Sequence, residues 1–193
     1  MKFIVLAIAA VALAAVSSCV THPSWPLAEG QHPLEFHRTL TEHIDGRFLL
    51  YLPAGFEAHP KTKYPLLIFL HGSGESGRDL NTVKIHGPPK IVESTRDFPF
   101  IVASPQTPEA HLGFNPVALN VMLDELIEQL PIDTDRIYLT GLSMGGRWSY
   151  GWASLNPERF AAIAPVSADW DTDSACRLKH VLYRIVRNAR LGN

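Results

Sequence analysis

Apolar positions in this chain gather into short runs separated by polar stretches rich in Gly and Pro, and the period within each run predicts its element. Residues 64–70 (Tyr-Pro-Leu-Leu-Ile-Phe-Leu) and 98–103 are continuous apolar runs, the pattern of strands covered on both faces; the second ends at Ser104-Pro105. Residues 36–40 and 47–52 read as two strands paired around Ile44-Asp45-Gly46 and closed by Pro53. Between 116 and 130 the side chains Val117, Val121, Leu126, Ile127 and Leu130 recur at helical spacing, with Asp124, Glu125 and Glu128 between them. Pro116 suits the first turn of that helix and Pro131 marks its end. A strand over 137–140, a helix over 144–155 and a strand over 160–166 follow. Strands alternating with helices require crossover connections, which predicts an α/β fold: a mainly parallel sheet with helices on both faces, in one domain.

Candidate chemistry sits where two of these strands end. Residues 137–146 read Ile-Tyr-Leu-Thr-Gly-Leu-Ser-Met-Gly-Gly, so a buried strand runs into Gly-x-Ser-x-Gly and a helix follows at once. That order suits a serine held on a sharp strand-to-helix turn with its hydroxyl projected above the sheet, which makes Ser143 a candidate nucleophile. The plainer alternative is a tight glycine turn with an inert serine. A second motif, His71-Gly72-Ser73-Gly74-Glu75, directly follows the 64–70 strand. Its glycines permit close backbone approach, and its amides can point at a developing oxyanion; the donors would be the amides of Ser73, or a neighbour in the loop, and Met144. An ordinary strand-exit turn is the bland reading, yet both motifs lie at strand carboxyl ends, where ligands bind in open parallel sheets.

Composition narrows the field only modestly. The 193 residues suit one domain, and 46% apolar with 19% charged residues is ordinary for a globular protein. A net charge of −2 gives no electrostatic footprint for nucleic acid. No metal-ligand spacing or phosphate loop is visible, so no cofactor is expected.

The N-terminus differs in kind. Lys2 precedes an apolar stretch over 3–16, too short to span a bilayer but suited to a secretory signal, predicted here as residues 1–18. Val16-Ser17-Ser18-Cys19 resembles the lipobox of bacterial lipoproteins, which implies lipidation at Cys19, anchorage to a membrane and an extracytoplasmic location. Val20 after the cysteine suggests the outer membrane in a Gram-negative cell; a plain secreted protein with an incidental cysteine is the simpler alternative. Residues 19–34, with Pro23, Pro26 and Pro33, read as a tether. Cys176 is then left without an intrachain partner, and its bland account is a partly buried thiol acting as a small hydrophobe.

Together these residues resemble the α/β-hydrolase superfamily, and most of all its carboxylesterase and predicted-peptidase branch of feruloyl-esterase-like and depolymerase-like enzymes. The matching strings are Tyr51-Leu52-Pro53, Phe69 to Glu75, Ser104-Pro105-Gln106, Asp135 to Gly146, and Pro157 to Ala162. The resemblance implies hydrolysis of an ester through an acyl-enzyme on Ser143, with a small-molecule ester or an acylated carbohydrate or peptide as substrate. A peptidase of the same fold is the alternative enzyme.

The family pattern then breaks. The triad partners of this superfamily follow the serine as Asp or Glu and then His. Of nine histidines only His180 lies after Ser143, with Glu158, Asp169, Asp171 and Asp173 as the acids. Family segments resembling His-Gly-x-x-Asp and Gly-His are absent, and the match fades at Ala175-Cys176-Arg177-Leu178-Lys179, where the next strand should begin. The expectation is therefore an incomplete hydrolase domain over 35–193 that lacks the final strands, with low activity or, alternatively, a non-catalytic fragment. Asp169 or Asp171 with His180, and His71 or His111 in space, are the remaining acid and base candidates; His71 is better explained by its turn. Residues 177–193 carry five Lys/Arg and no acid, with Val181, Leu182, Ile185, Val186 and Ala189 at helical spacing. A basic amphipathic helix fits that spacing, but the reading preferred is a remnant left by a shifted frame or shortened gene. Trp148, Trp152 and Trp170 are candidates for a sugar or aromatic pocket, with Trp148 and Trp152 more simply explained as core.

Overall fold

A computed structural model describes residues 43–56, 62–95, 97–169 and 173–183. The signal stretch, Cys19, the tether, the 36–40 strand, Trp170, Asp171 and residues 184–193 lie outside the described residues.

The sheet is built from β1 (Arg47–Tyr51), β2 (Tyr64–Leu70), β3 (Ile101–Gln106), β4 (Ile132–Leu142), β5 (Ala162–Val166) and β6 (Leu182–Tyr183), with α1 (Gly87–Ser94), α2 (Pro116–Gln129) and α3 (Met144–Leu155) between them. Its spatial order is β1-β3-β2-β4-β5-β6. Only β1 runs antiparallel, against β3; every other pairing is parallel. The α/β architecture with a mainly parallel sheet is therefore present. From β2 the chain crosses through α1 to β3 on one side, then returns through α2 to β4 on the other. Such a reversal opens a crevice at the carboxyl ends of the strands on either side of it, here β2 and β4.

The crossovers put helices on both faces. One face of the sheet supplies Leu66, Ile68, Leu70, Ile137 and Leu139 to a core with Leu119, Leu123 and Leu126 of α2 and Trp152 and Ala153 of α3. On the other face Gly87, at the start of α1, lies against the Phe69 ring, so that α1 packs opposite α2 and α3. Trp152 is fully buried, donates from Nε1 to Asn120 Oδ1 at 2.9 Å and meets Phe160 edge-on. The core reading of Trp152 holds; Trp148 is half-buried, with its indole against Gly113.

Several elements differ from their sequence expectation, each for a local reason. Asn115 caps α2 by accepting from the Val117 amide at 2.9 Å, and Pro116 opens the helix as predicted. Its buried stripe, however, is Leu119, Met122, Leu123 and Leu126, while Val117 and Val121 face solvent. The longer side chains at i, i+3, i+4 and i+7 cover more of the sheet and win the inward face. β4 begins earlier than position 137, because 132–136 continue along β2 with an irregular register opposite Tyr64 and Leu66. α1 has no counterpart among the predicted elements; Pro occupies its first helical turn, where its missing N–H costs nothing. β1 pairs with β3, whereas the partner expected across Ile44-Asp45-Gly46 lies outside the described residues. Near the end of the described chain, Asp173–Leu178 is a 3-10 turn and Leu182–Tyr183 joins β5 as a short strand. The helical spacing from Val181 onward therefore does not make a helix at 182–183. Cys176 is exposed, which corrects its reading as a partly buried hydrophobe. Among the described residues no helix is long and apolar enough to cross a membrane.

Candidate active site

Ser143 occupies the single position between the end of β4 and the start of α3. Its backbone has φ 53° and ψ −109°, a region that residues with a side chain adopt only when neighbours enforce it, at a cost of about 1–3 kcal/mol. Two bonds enforce it: the Ser143 amide donates to Val166 O at 2.9 Å, and Ser143 O accepts from the Arg147 amide at 3.0 Å. Ser143 itself is exposed, so its hydroxyl stands at the rim and not in the core. Close packing below explains the flanking glycines. A Cβ on Gly145 would collide with the carbonyl groups of Leu70 and His71, and one on Gly141 would collide with the Gly145 carbonyl.

The glycine-rich turn after β2 adjoins this elbow. β2 and β4 pair up to Leu70 opposite Gly141, which continues to Gly72 beside Ser143. A Cβ at Gly72 would sit 3.6 Å from Leu142 O, so the two turns are in contact. Ser73–Glu75 form a 3-10 turn in which Ser73 is exposed and Glu75 buried. Met144 opens α3, and the first amides of a helix have no carbonyl partner within it. The arrangement thus brings together Ser143, the Ser73 turn and the Met144 helix start. Buried polar atoms without a hydrogen-bond partner among the described residues also lie at the strand ends on this side: Ser76 Oγ follows the turn, Gln106 Oε1 ends β3 and Ser167 Oγ comes one residue after β5, with Ser104 Oγ further down β3. Unsatisfied polar groups are rare in folded proteins and call for a local explanation. Ser167, like Ser143, has positive φ, at 52°.

The candidate bases fall elsewhere. His71 is fully buried; its Nε2 accepts from the Thr107 amide at 3.1 Å, so Nδ1 carries the proton and donates to Gly72 O at 2.6 Å. Burial pushes its pKa below 6.5, opposed in lesser measure by the Gly72 carbonyl and the Glu75 carboxylate. With both nitrogens engaged, the ring ties the exit of β2 to the exit of β3 and has no site left for a serine proton. His111 is exposed beside Glu109 at 3.3 Å. Asp169 pairs with Arg147 at 3.1 Å, both exposed.

His180 lies toward the opposite end of the sheet. Leu182 pairs with Ala162, and Ala162 with Tyr138, all in parallel strands, so His180 precedes the level of Tyr138 while Ser143 lies beyond it. At ~3.3 Å per residue the two are separated by about 20 Å along the strand direction. No described histidine is hydrogen-bonded to the Ser143 hydroxyl. Among the described residues no group of three or more His, Cys, Asp or Glu side chains is placed to hold a metal ion.

One contact at the site was missed in the sequence. The Glu75 carboxylate, with its side chain 7% exposed, bonds to His86 Nδ1 at 2.5 Å. The motif contained Glu75, but nothing in the spacing to a histidine at the head of an unpredicted helix announced the pair.

The fold is the α/β-hydrolase architecture: a mainly parallel sheet, with the strained Ser143 turn after β4 and a glycine turn after its neighbour β2. Comparison with known proteins agrees. The chain is similar to a probable feruloyl esterase C of Aspergillus terreus, 28% identical over 131 residues, covering 65% of this chain and 48% of that protein. Among solved structures it resembles a thermostable esterase, 25% identical with TM-score 0.56, covering 74% of this chain and 51% of the other. A ferulic acid esterase structure at 18% identity and TM-score 0.55, covering 72% of this chain and 71% of the other, shares the fold. No protein-family model matches. The chain spans about half the length of the feruloyl esterase and the thermostable esterase.

Proposed function

We propose that this chain carries the nucleophile and oxyanion half of a carboxylesterase-type serine hydrolase. The observation that carries the reading is the strained, exposed Ser143 at the β4–α3 junction, directly beside the glycine turn after β2. In this reading Ser143 Oγ attacks the ester carbonyl, and its proton passes to solvent water, as no described histidine is bonded to it. The amides of Ser73 and Met144 receive the charge that forms on the carbonyl oxygen. Collapse expels the alcohol, which takes up a proton, and leaves an acyl group on Ser143; water then releases the acid.

The feruloyl esterase relative supports a small-molecule ester as the substrate class, with an acylated carbohydrate or peptide as the wider range that the motif resemblance implies. Residues 1–18 act as a signal, lipidated Cys19 as a membrane anchor and 19–34 as a tether to the hydrolase domain over 35–193, an extracytoplasmic placement that rests on the Val16-Ser17-Ser18-Cys19 pattern. Hydrolysis of a nitrophenyl ester by the chain, beside Ser143→Ala, tests the reading. A rate for the unaltered chain clearly above that of the variant supports it, and equal rates overturn it.

A second reading is a hydrolase scaffold that binds esters without turning them over. The remoteness of His180 from Ser143 and the fully engaged His71 ring favour it. A serine without a neighbouring base is a weak nucleophile, and catalysis then falls to what the oxyanion donors and binding supply. Ester binding that survives in Ser143→Ala, with no difference in turnover, selects this reading.

A further inference from the structure

The glycine turn that carries Ser73 is held by a carboxylate from within itself. One oxygen of Glu75 bonds His86 Nδ1 at 2.5 Å. The other, Oε2, lies only 3.0 Å from the point that a Cβ on Gly72 would occupy, so it sits directly beneath the turn. The carboxylate thus packs closely against Gly72, which also faces Leu142 O, while it bonds His86, the N-cap residue of α1. The main chain of Glu75 is gripped as well: its carbonyl accepts from Gln106 Nε2 at 2.9 Å and from Thr82 Oγ1 at 3.1 Å. A carboxylate this buried gains from a charge-assisted partner, and the bond is correspondingly short. The arrangement leaves the Ser73 amide on a turn whose far end, Glu75, is tied to His86 before α1 and to Gln106 of β3, while its near end, Gly72 O, accepts from His71 Nδ1.

We propose that Glu75 and His86 are a positioning pair that fixes the Ser73 turn in the geometry required of an oxyanion donor; this rests on the esterase reading above. Neither side chain touches the reacting atoms. Each acts through the backbone of the turn, where a small displacement of a donor removes its preference for the transition state over bound substrate. The signature is a loss in kcat with KM held, and not a general loss of fold.

The test compares the full chain with Glu75→Gln, His86→Gln and the double variant. Three readings are taken: nitrophenyl acetate kinetics, thermal unfolding, and amide hydrogen exchange over 72–76 against the β2 and β4 core. The expected result is a kcat lower by about tenfold or more in each single variant with KM within about twofold, as for loss of alignment at one oxyanion donor. The double variant loses little beyond either single one, because the residues work as a unit. Exchange rises over 72–76 while the core strands stay protected. Unchanged kcat in the variants of an active chain overturns the pair's role, as does a loss tracked entirely by global unfolding. If the unaltered chain is no faster than Ser143→Ala, the esterase reading fails by itself. Exchange then decides the pair separately: a rise confined to 72–76 sustains its hold on the turn, and an unchanged profile overturns it.

Discussion

The amide of Ser143 donates to the carbonyl of Val166 at 2.9 Å, so the last residue of β5 holds the strained turn that ends β4. The bond spans adjacent parallel strands just past the point where Leu142 pairs with Val166. Replacing Ser143 tests the strain directly. Ser143→Gly, which suits φ 53°, should unfold at higher denaturant than Ser143→Ala, by about 1 kcal/mol. Equilibrium unfolding of the two variants checks this, and a higher midpoint for the alanine variant contradicts it.

Gly145 has no room to grow. Gly145→Ala would drive a methyl into the Leu70 and His71 carbonyls, which are backbone and cannot swing aside. A loss of about 3 kcal/mol is expected in urea unfolding, at the upper end of overpacking costs. Near-native stability would show that α3 can shift off the sheet.

His71 gives the fold a pH dependence of definite sign. Burial first of all lowers its folded pKa below 6.5, so at mildly acidic pH the unfolded chain binds a proton that the folded chain refuses. Stability from this group is complete above that ordinary value and declines as pH falls through it toward the depressed folded pKa. His71→Gln should flatten the decline in a denaturation series from pH 7 down to 5; an unaltered slope would assign it to other groups.

Asp169 pairs with Arg147 while His180 belongs to the far end of the sheet. Asp169→Asn should therefore leave any Ser143-dependent ester hydrolysis within about twofold, as exposed ion pairs contribute little. A loss of a hundredfold or more would make it the triad acid after all.

Trp152 is fully enclosed and bonded to Asn120. Trp152→Phe keeps most of the apolar contact and removes the indole donor from half-buried Asn120, whose Oδ1 still faces Arg159 Nη1 at 3.4 Å, at a cost of about 1 kcal/mol. Thermal unfolding measures it, with Trp152→Phe expected well above Trp152→Ala, for which about 3–5 kcal/mol is typical.

Much of this architecture was legible from spacing alone. The 64–70 run, the 116–130 helix and the Gly-x-Ser-x-Gly junction all announced themselves because each combines a clear period with a clear stop. The strain at Ser143 follows from the same motif. What failed to show was information held in three dimensions. Val117 and Leu119 are equally apolar in a list, and only the sheet decides that Leu119 turns inward. Pro88-Pro89 reads as an interruption until His86 is seen to precede a helix. The Glu75–His86 bond joins residues eleven positions apart through the path of an unpredicted segment, and no periodicity encodes that.

The opposed crossovers out of β2 and β4 hang the two turns from different layers of the molecule. A shift of α1 reaches the Ser73 turn through His86, while the Ser143 turn runs straight into α3 on the reverse layer. A disturbance of one layer therefore has its own path to one turn and need not pass through the other.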